Sequence, residues 1–144
     1  MAESQNFKNH SKYVPIFHFF VLPVLVVNVG WTIRSAIHVF SPFAAFQVVL
    51  AFALLLGFAT ARRFALTVQD RVIRLEMQLR LERLLSAEMR ARIPEFTVGQ
   101  LVALRFASDA ELPALARKVL DEKLTERTAI KKQVVNWQAD HLRA

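Results

Sequence analysis

Two apolar runs near the start of the chain restrict its fold more than any other feature. From Val14 to Ile33 the sequence reads VPIFHFFVLPVLVVNVGWTI, with His18 and Asn28 as its only strongly polar members. From Phe43 to Ala61 it reads FAAFQVVLAFALLLGFATA, interrupted by the single amide of Gln47 and closed by Arg62 and Arg63. At ~1.5 Å rise per residue, about twenty residues cross a ~30 Å hydrocarbon core. A cleaved secretory signal would be shorter and would end in a small-residue site, and neither run reads so. Ser41-Pro42 places an N-cap and an N1 proline between them. The connection is short, so the two spans are expected as antiparallel neighbours, a transmembrane helical hairpin over residues 14–63.

Lys8 and Lys12 precede the first span, Arg62, Arg63, Arg71 and Arg74 follow the second, and Arg34 alone marks the connecting end. The positive-inside rule then sets both termini in the cytoplasm. Trp31 and Tyr13 suit the two interfacial belts. Pro15 and Pro23 are expected to set and kink the start of the first helix. Asn28 reads more simply as a hydrogen bond to a neighbouring helix than as a contact to a quinone or other cofactor. Ala53, Gly57 and Ala61 lie four apart and form a ridge that another helix can approach closely. His18 and His38 sit at opposite ends of one span, with no histidine in the other to complete an axial pair. They read as interfacial residues rather than haem or chlorophyll ligands.

No glycine or proline occurs between Phe58 and Ile93, and strong helix formers dominate. The second helix is therefore expected to continue to about Leu85, well past the bilayer. Its extension is apolar on two faces: Val68, Val72, Leu75 and Leu79 on one, and Leu66, Ile73, Met77, Leu81 and Leu84 on nearly the opposite one. A helix apolar on two faces is sandwiched. We take Val68, Val72, Leu75, Leu79, Ile73, Met77 and Leu81 as partner-facing. The domain that follows is expected to cover one face, and another protein or a second copy the other. The heptads are too few and irregular to predict a coiled coil. Asp70 and Arg74 form an i,i+4 pair on this helix.

The rest reads as short helices. Ser86 caps a segment ending at Pro94; Thr97-Val98-Gly99-Gln100 and Ser108-Asp109-Ala110-Glu111 fit capping boxes. Thr125 is expected to cap a last helix over ERTAIKKQVVNWQADHL, with Ile130, Val134, Trp137 and Leu142 as its apolar face. About sixty residues make a small core, so this part should lean on the long helix. The expected fold is all-α: a cytoplasmic N-terminal segment (1–13), the hairpin (14–63), and a long-helix extension with a small bundle of short helices (64–144).

The segments QNFKNHSKYVPIFHFFVLPVL, ARRFALTVQDRVIRLEMQLRLERLL, LVALRFASDAELPALARKVLDEKLT and IKKQVVNWQADHLR together resemble a family of small bacterial membrane proteins of unknown function. The resemblance covers essentially the whole chain. It implies a two-helix anchor with a helical cytoplasmic domain, and hence the bacterial inner membrane. It brings no activity, cofactor or catalytic residue.

The residues themselves argue against catalysis. There is no cysteine, so thiolate chemistry, Fe–S clusters and disulfides are excluded. The three glycines make no phosphate-binding loop, and no His or Glu spacing suits a helical metal site. Asp70, Glu76, Glu82 and Glu88 lie among arginines and read as solvated salt bridges. The formal net charge of +7 raises nucleic acid as a partner, but acids and bases alternate after Arg62, which gives no phosphate track. Arg62 and Arg63 read as contacts to anionic lipid headgroups, and Lys131-Lys132 beside Trp137 as a solvated face or membrane-surface contact. With no charge inside either span, a channel would need several copies. The function expected is that of a non-catalytic accessory subunit without a cofactor. It would pack on other integral membrane subunits of a larger inner-membrane complex, photosynthetic or respiratory, and steady it from the cytoplasmic side. The alternative is an autonomous membrane-anchored adaptor, homodimeric, that recruits a soluble partner.

Overall fold

Ser41 and Pro42 start the longest element of the chain. In the computed structural model, which describes residues 6–7 and 14–140, the Ser41 hydroxyl accepts from the Ala44 N–H at 3.0 Å. Its carbonyl accepts from the Ala45 N–H, also at 3.0 Å. Proline at N1 needs no partner for a donor it lacks. Helix α2 then runs unbroken from Pro42 to Leu84, 43 residues. Before it, α1 spans Leu22–His38 and ends as Val39 turns to extended geometry.

Pro23 has a visible effect one turn upstream. Its missing N–H and its ring both disturb the α-helical ladder. The chain responds with a π-helical turn over Ile16–Val21, in which the Leu22 N–H reaches back five residues to the Phe17 carbonyl. Two helical stretches, Ile16–His38 and Pro42–Leu84, are long and apolar enough to cross a membrane.

Helix α2 ends where Ser86 caps α3 (Ala87–Arg90), its hydroxyl accepting from the Met89 N–H. The Arg90 Nε–H donates to the Leu85 carbonyl at 2.8 Å, satisfying one of the acceptors exposed at the helix end. A 3-10 turn follows at Ile93–Glu95, then α4 (Val98–Leu104) with a complete capping box. The Gln100 N–H donates to the Thr97 hydroxyl, and the Thr97 N–H to the Gln100 side chain at 2.8 Å. Gln100 is buried and also donates to the Leu124 carbonyl, so its amide links two loops as well as capping one helix.

The second expected capping box forms by half. The Ser108 N–H does donate to Glu111 at 3.2 Å, but Glu111 itself stands at the N-cap of α5 (Leu112–Asp121). The far end of α5 closes on Lys123, which has φ of 51°. The Lys123 N–H donates to the Leu120 carbonyl and the Leu124 N–H to that of Val119. This is a Schellman closure with lysine in the seat that glycine usually takes.

The last helix is shorter than its spacing suggests. Helix α6 covers Arg127–Lys132, with Glu126 rather than Thr125 at its N-cap. Beyond Gln133 the chain extends and runs antiparallel to residues 106–108. Ala107 pairs with Trp137, the Gln138 N–H donates to the Phe106 carbonyl at 2.7 Å, and the Ser108 N–H to that of Asn136. Val134 and Trp137 are thus brought to the core by an extended strap, not by a helix face. Leu142, like Lys8, Lys12 and Tyr13, lies outside the described residues.

The chain divides into two compact units between Leu66 and Thr67. In the unit from Thr67 onward, Leu81, Leu101, Leu104, Phe106, Leu112 and Ile130 are fully enclosed. In the unit before it, Ala51 alone is buried among the described residues. There is no strand among the described residues beyond the single Ala107–Trp137 bridge.

Candidate interaction surface

Helix α2 beyond Thr67 presents two apolar faces with opposite fates. Ile73, Met77 and Leu81 retain 5%, 3% and 0% of their exposure, closed over by the chain's own short helices. Their partner is therefore this chain's domain. Val68, Val72, Leu75 and Leu79 keep 57%, 48%, 62% and 69%. At about 100° per residue these four fall within about 60° of arc, diametrically opposite the buried set. Leu66, grouped with the buried face by spacing, is exposed, and Leu84 packs at the core's edge.

Arg80 fastens this part of α2 to the domain. Its guanidinium donates to Asp109 at 2.7 Å, to the carbonyls of Ala107 at 2.6 Å and Arg105 at 3.2 Å, and to the Gln138 side chain at 2.8 Å. Arg83 adds a longer pair to Asp109. Asp70 pairs with Arg127 at 3.4 Å, and not with Arg74 one turn along its own helix. Beside Arg80 a pocket of about 230 Å³ is lined by Glu76, Met77, Arg105, Gln138 and Asp140. Arg105 is itself tied to Asp140 at 3.0 Å and lies over the Phe106 ring.

Glu111 closes the strap. Its carboxylate accepts from the N–H groups of Ser108, Val135 and Asn136, all within 3.3 Å. Trp137 stacks 4.9 Å from Phe106, and its Nε1–H donates to Val134. Lys131 sits over the same Phe106 ring at 5.2 Å, and Lys132 lies 5.8 Å from that of Phe7. Elsewhere Arg92 bridges Asp121 at 2.8 Å and Glu95 at 3.2 Å, and hydrogen bonds to these two carboxylates raise its pKa above the usual guanidinium value. Sequence reasoning missed Arg80 and Glu111 as organisers. Arg80 stands at the edge of the buried face, i+3 from Met77, which is the one local sign of its role.

The apolar unit carries the remaining candidates. Ala53, Gly57 and Ala61 are exposed, and a Cβ added at Gly57 would meet nothing within 4 Å. The ridge is therefore uncovered by the chain itself. Asn28 is half-buried, and its side-chain amide has no hydrogen bond among the described residues. The Arg62 guanidinium lies 5.8 Å from the Phe17 ring centre, and Arg63 is exposed. His18 Nδ1 sits 3.0 Å from the Val14 carbonyl oxygen. Near the Ser41 turn a cleft of about 370 Å³ is lined by Trp31, Thr32, Ser35, Phe43 and Gln47 among others. No group of three or more metal-ligating side chains occurs among the described residues.

These features define a class: an all-helical protein with two apolar helices long enough to span a membrane and an apolar face its own core leaves open. A family model matches the chain over residues 1–144, and the protein belongs to that family, the family of unknown function DUF6526. No curated protein and no solved structure matches it.

Proposed function

We propose that this chain is a non-catalytic, membrane-anchored structural subunit that packs against other integral subunits of a larger bacterial inner-membrane complex and steadies it from the cytoplasmic side. In this reading residues 14–63 form an antiparallel two-helix hairpin with both termini in the cytoplasm. The tight turn at Val39–Ser41 and the approach of Arg62 to Phe17 support the hairpin. Arg62 and Arg63 then lie at the level of anionic headgroups.

One observation carries the reading: the apolar helices before Thr67 leave nearly all their large side chains outward, and the small-residue ridge at Ala53, Gly57 and Ala61 stands open on them. Such a ridge lets a foreign transmembrane helix approach closely. The adaptor reading draws on the position of the Val68–Leu79 stripe, which follows Arg62–Arg63 and is therefore within reach of a soluble partner.

Extraction from the native membrane in mild detergent, followed by identification of every co-migrating chain, tests the proposal. Foreign membrane subunits at constant ratio are expected. A small particle containing only this chain, or this chain with a soluble protein, would overturn it. Gly57→Leu sharpens the test: a Cβ at this position has no atom of its own chain within 4 Å, so loss of co-migration reads a contact with another helix.

A further inference from the structure

Val68, Val72, Leu75 and Leu79 succeed one another at spacings of four, three and four, the repeat of a coiled-coil seam. In the bare sequence a second apolar set obscures this repeat. It emerges once Ile73, Met77 and Leu81 are assigned to the domain's core. Val72 and Leu79 then hold a positions, and Val68 and Leu75 hold d positions. At the centre of the stripe Val72 at a with Leu75 at d is the combination that favours two strands, while the outer positions, Val68 at d and Leu79 at a, carry the reverse order.

The flanking charges identify the occupant. Arg71 falls at g and Glu76 at e, on opposite sides of the stripe, and both are exposed. Neither belongs to an ion pair among the described residues. Five residues apart, they do not face each other on one helix. In a parallel, in-register pair the g residue of one helix meets the following e residue of the other. Arg71 of each copy would then meet Glu76 of the other, making two ion pairs around a dry seam.

We propose that the exposed face of α2 is a parallel two-stranded interface between two copies of this chain. The seam covers only about 16 Å of helix, short for two free chains in water. Its strength therefore rests on the bilayer reading above, since anchoring fixes both copies in one orientation and raises their effective concentration.

The absence of cysteine makes the test direct. Val72→Cys and Leu75→Cys, introduced singly into the full chain, are oxidised in native membranes beside Arg74→Cys, which is exposed but off the stripe. Disulfide-linked homodimers are expected at 72 and 75, with roughly fivefold less at 74. Equal yield at all three positions, or stripe thiols captured by a different protein, would overturn the seam. In the Leu75→Cys background, Arg71→Glu should lower dimer yield roughly fivefold, and adding Glu76→Arg should restore it. A double variant as weak as the single one would overturn the parallel register. An alkaline wash of the same membranes reads bilayer integration separately: release of the chain refutes the anchor, while the thiol pattern still decides the seam.

Discussion

The two compact units treat their large apolar side chains in opposite ways. From Thr67 onward the chain encloses most of them: α2 contributes Ile73, Met77 and Leu81, the short helices and the strap close over these residues, and the stripe from Val68 to Leu79 is the main exception. From Val14 to Leu66 it leaves them outward, with Phe19, Phe20, Trp31, Phe43 and Leu56 each more than 60% exposed. Two helices alone have no interior, so burial there must come from the surroundings, which on the proposed reading is the hydrocarbon of a bilayer. Apolar content does not distinguish a core from a membrane span. What distinguishes them is whether the chain provides its own second layer.

Substitutions can break or sharpen that contrast. The largest effect is expected within one helix. Leu81→Ala, at a fully enclosed site, should destabilise the domain by about 2–5 kcal/mol, whereas Leu79→Ala two residues earlier should stay within about 0.5 kcal/mol. Denaturant unfolding of the detergent-solubilised full chain, followed by Trp137 fluorescence in a Trp31→Phe background, checks both. Leu56→Arg should leave that transition unchanged but weaken bilayer insertion by about 3–4 kcal/mol, read as the fraction resisting an alkaline wash. Arg80→Ala removes the donor shared by two carbonyls and a carboxylate, and should lower domain stability by about 2 kcal/mol. The smallest effect runs the other way: Lys123→Gly relieves a left-handed backbone and should raise stability by about 0.5–1 kcal/mol in the same unfolding experiment.

Local chemistry was legible in the sequence. Ser41-Pro42 starts α2, Ser86 caps α3, and Thr97 with Gln100 forms its box, because each signal lies within four residues of what it organises. The two faces of α2 were also visible as periodicity, although only the folded domain tells which face is covered. Long-range pairing was not legible. Val134 and Trp137 have helical spacing from Ile130, and the chain nonetheless extends there, because Phe106 and Ser108 supply its hydrogen-bond partners from some thirty residues away. Glu111 looked like half of a capping box because Ser108 is its near neighbour, while its other donors, Val135 and Asn136, come from the strap. Lys123 gave no sign of a helix stop, since the usual sign is glycine. The Ala53–Gly57–Ala61 ridge was legible as small residues in line, yet the contact inside the apolar unit buries Ala51 instead.

The strap also sets a schedule for synthesis. Ile130, Val134 and Trp137 are translated some seventy residues after Leu66. At about 5–20 residues per second, that interval is roughly 4–14 s. The apolar spans already exist throughout it, whereas Phe106 and Glu111 are made only in its second half, and until the strap follows Phe106 lacks its cover and Glu111 two of its three donors. The two membrane-length helices are therefore complete before the helical domain can close, so on the proposed reading a nascent chain meets its bilayer with that domain still open.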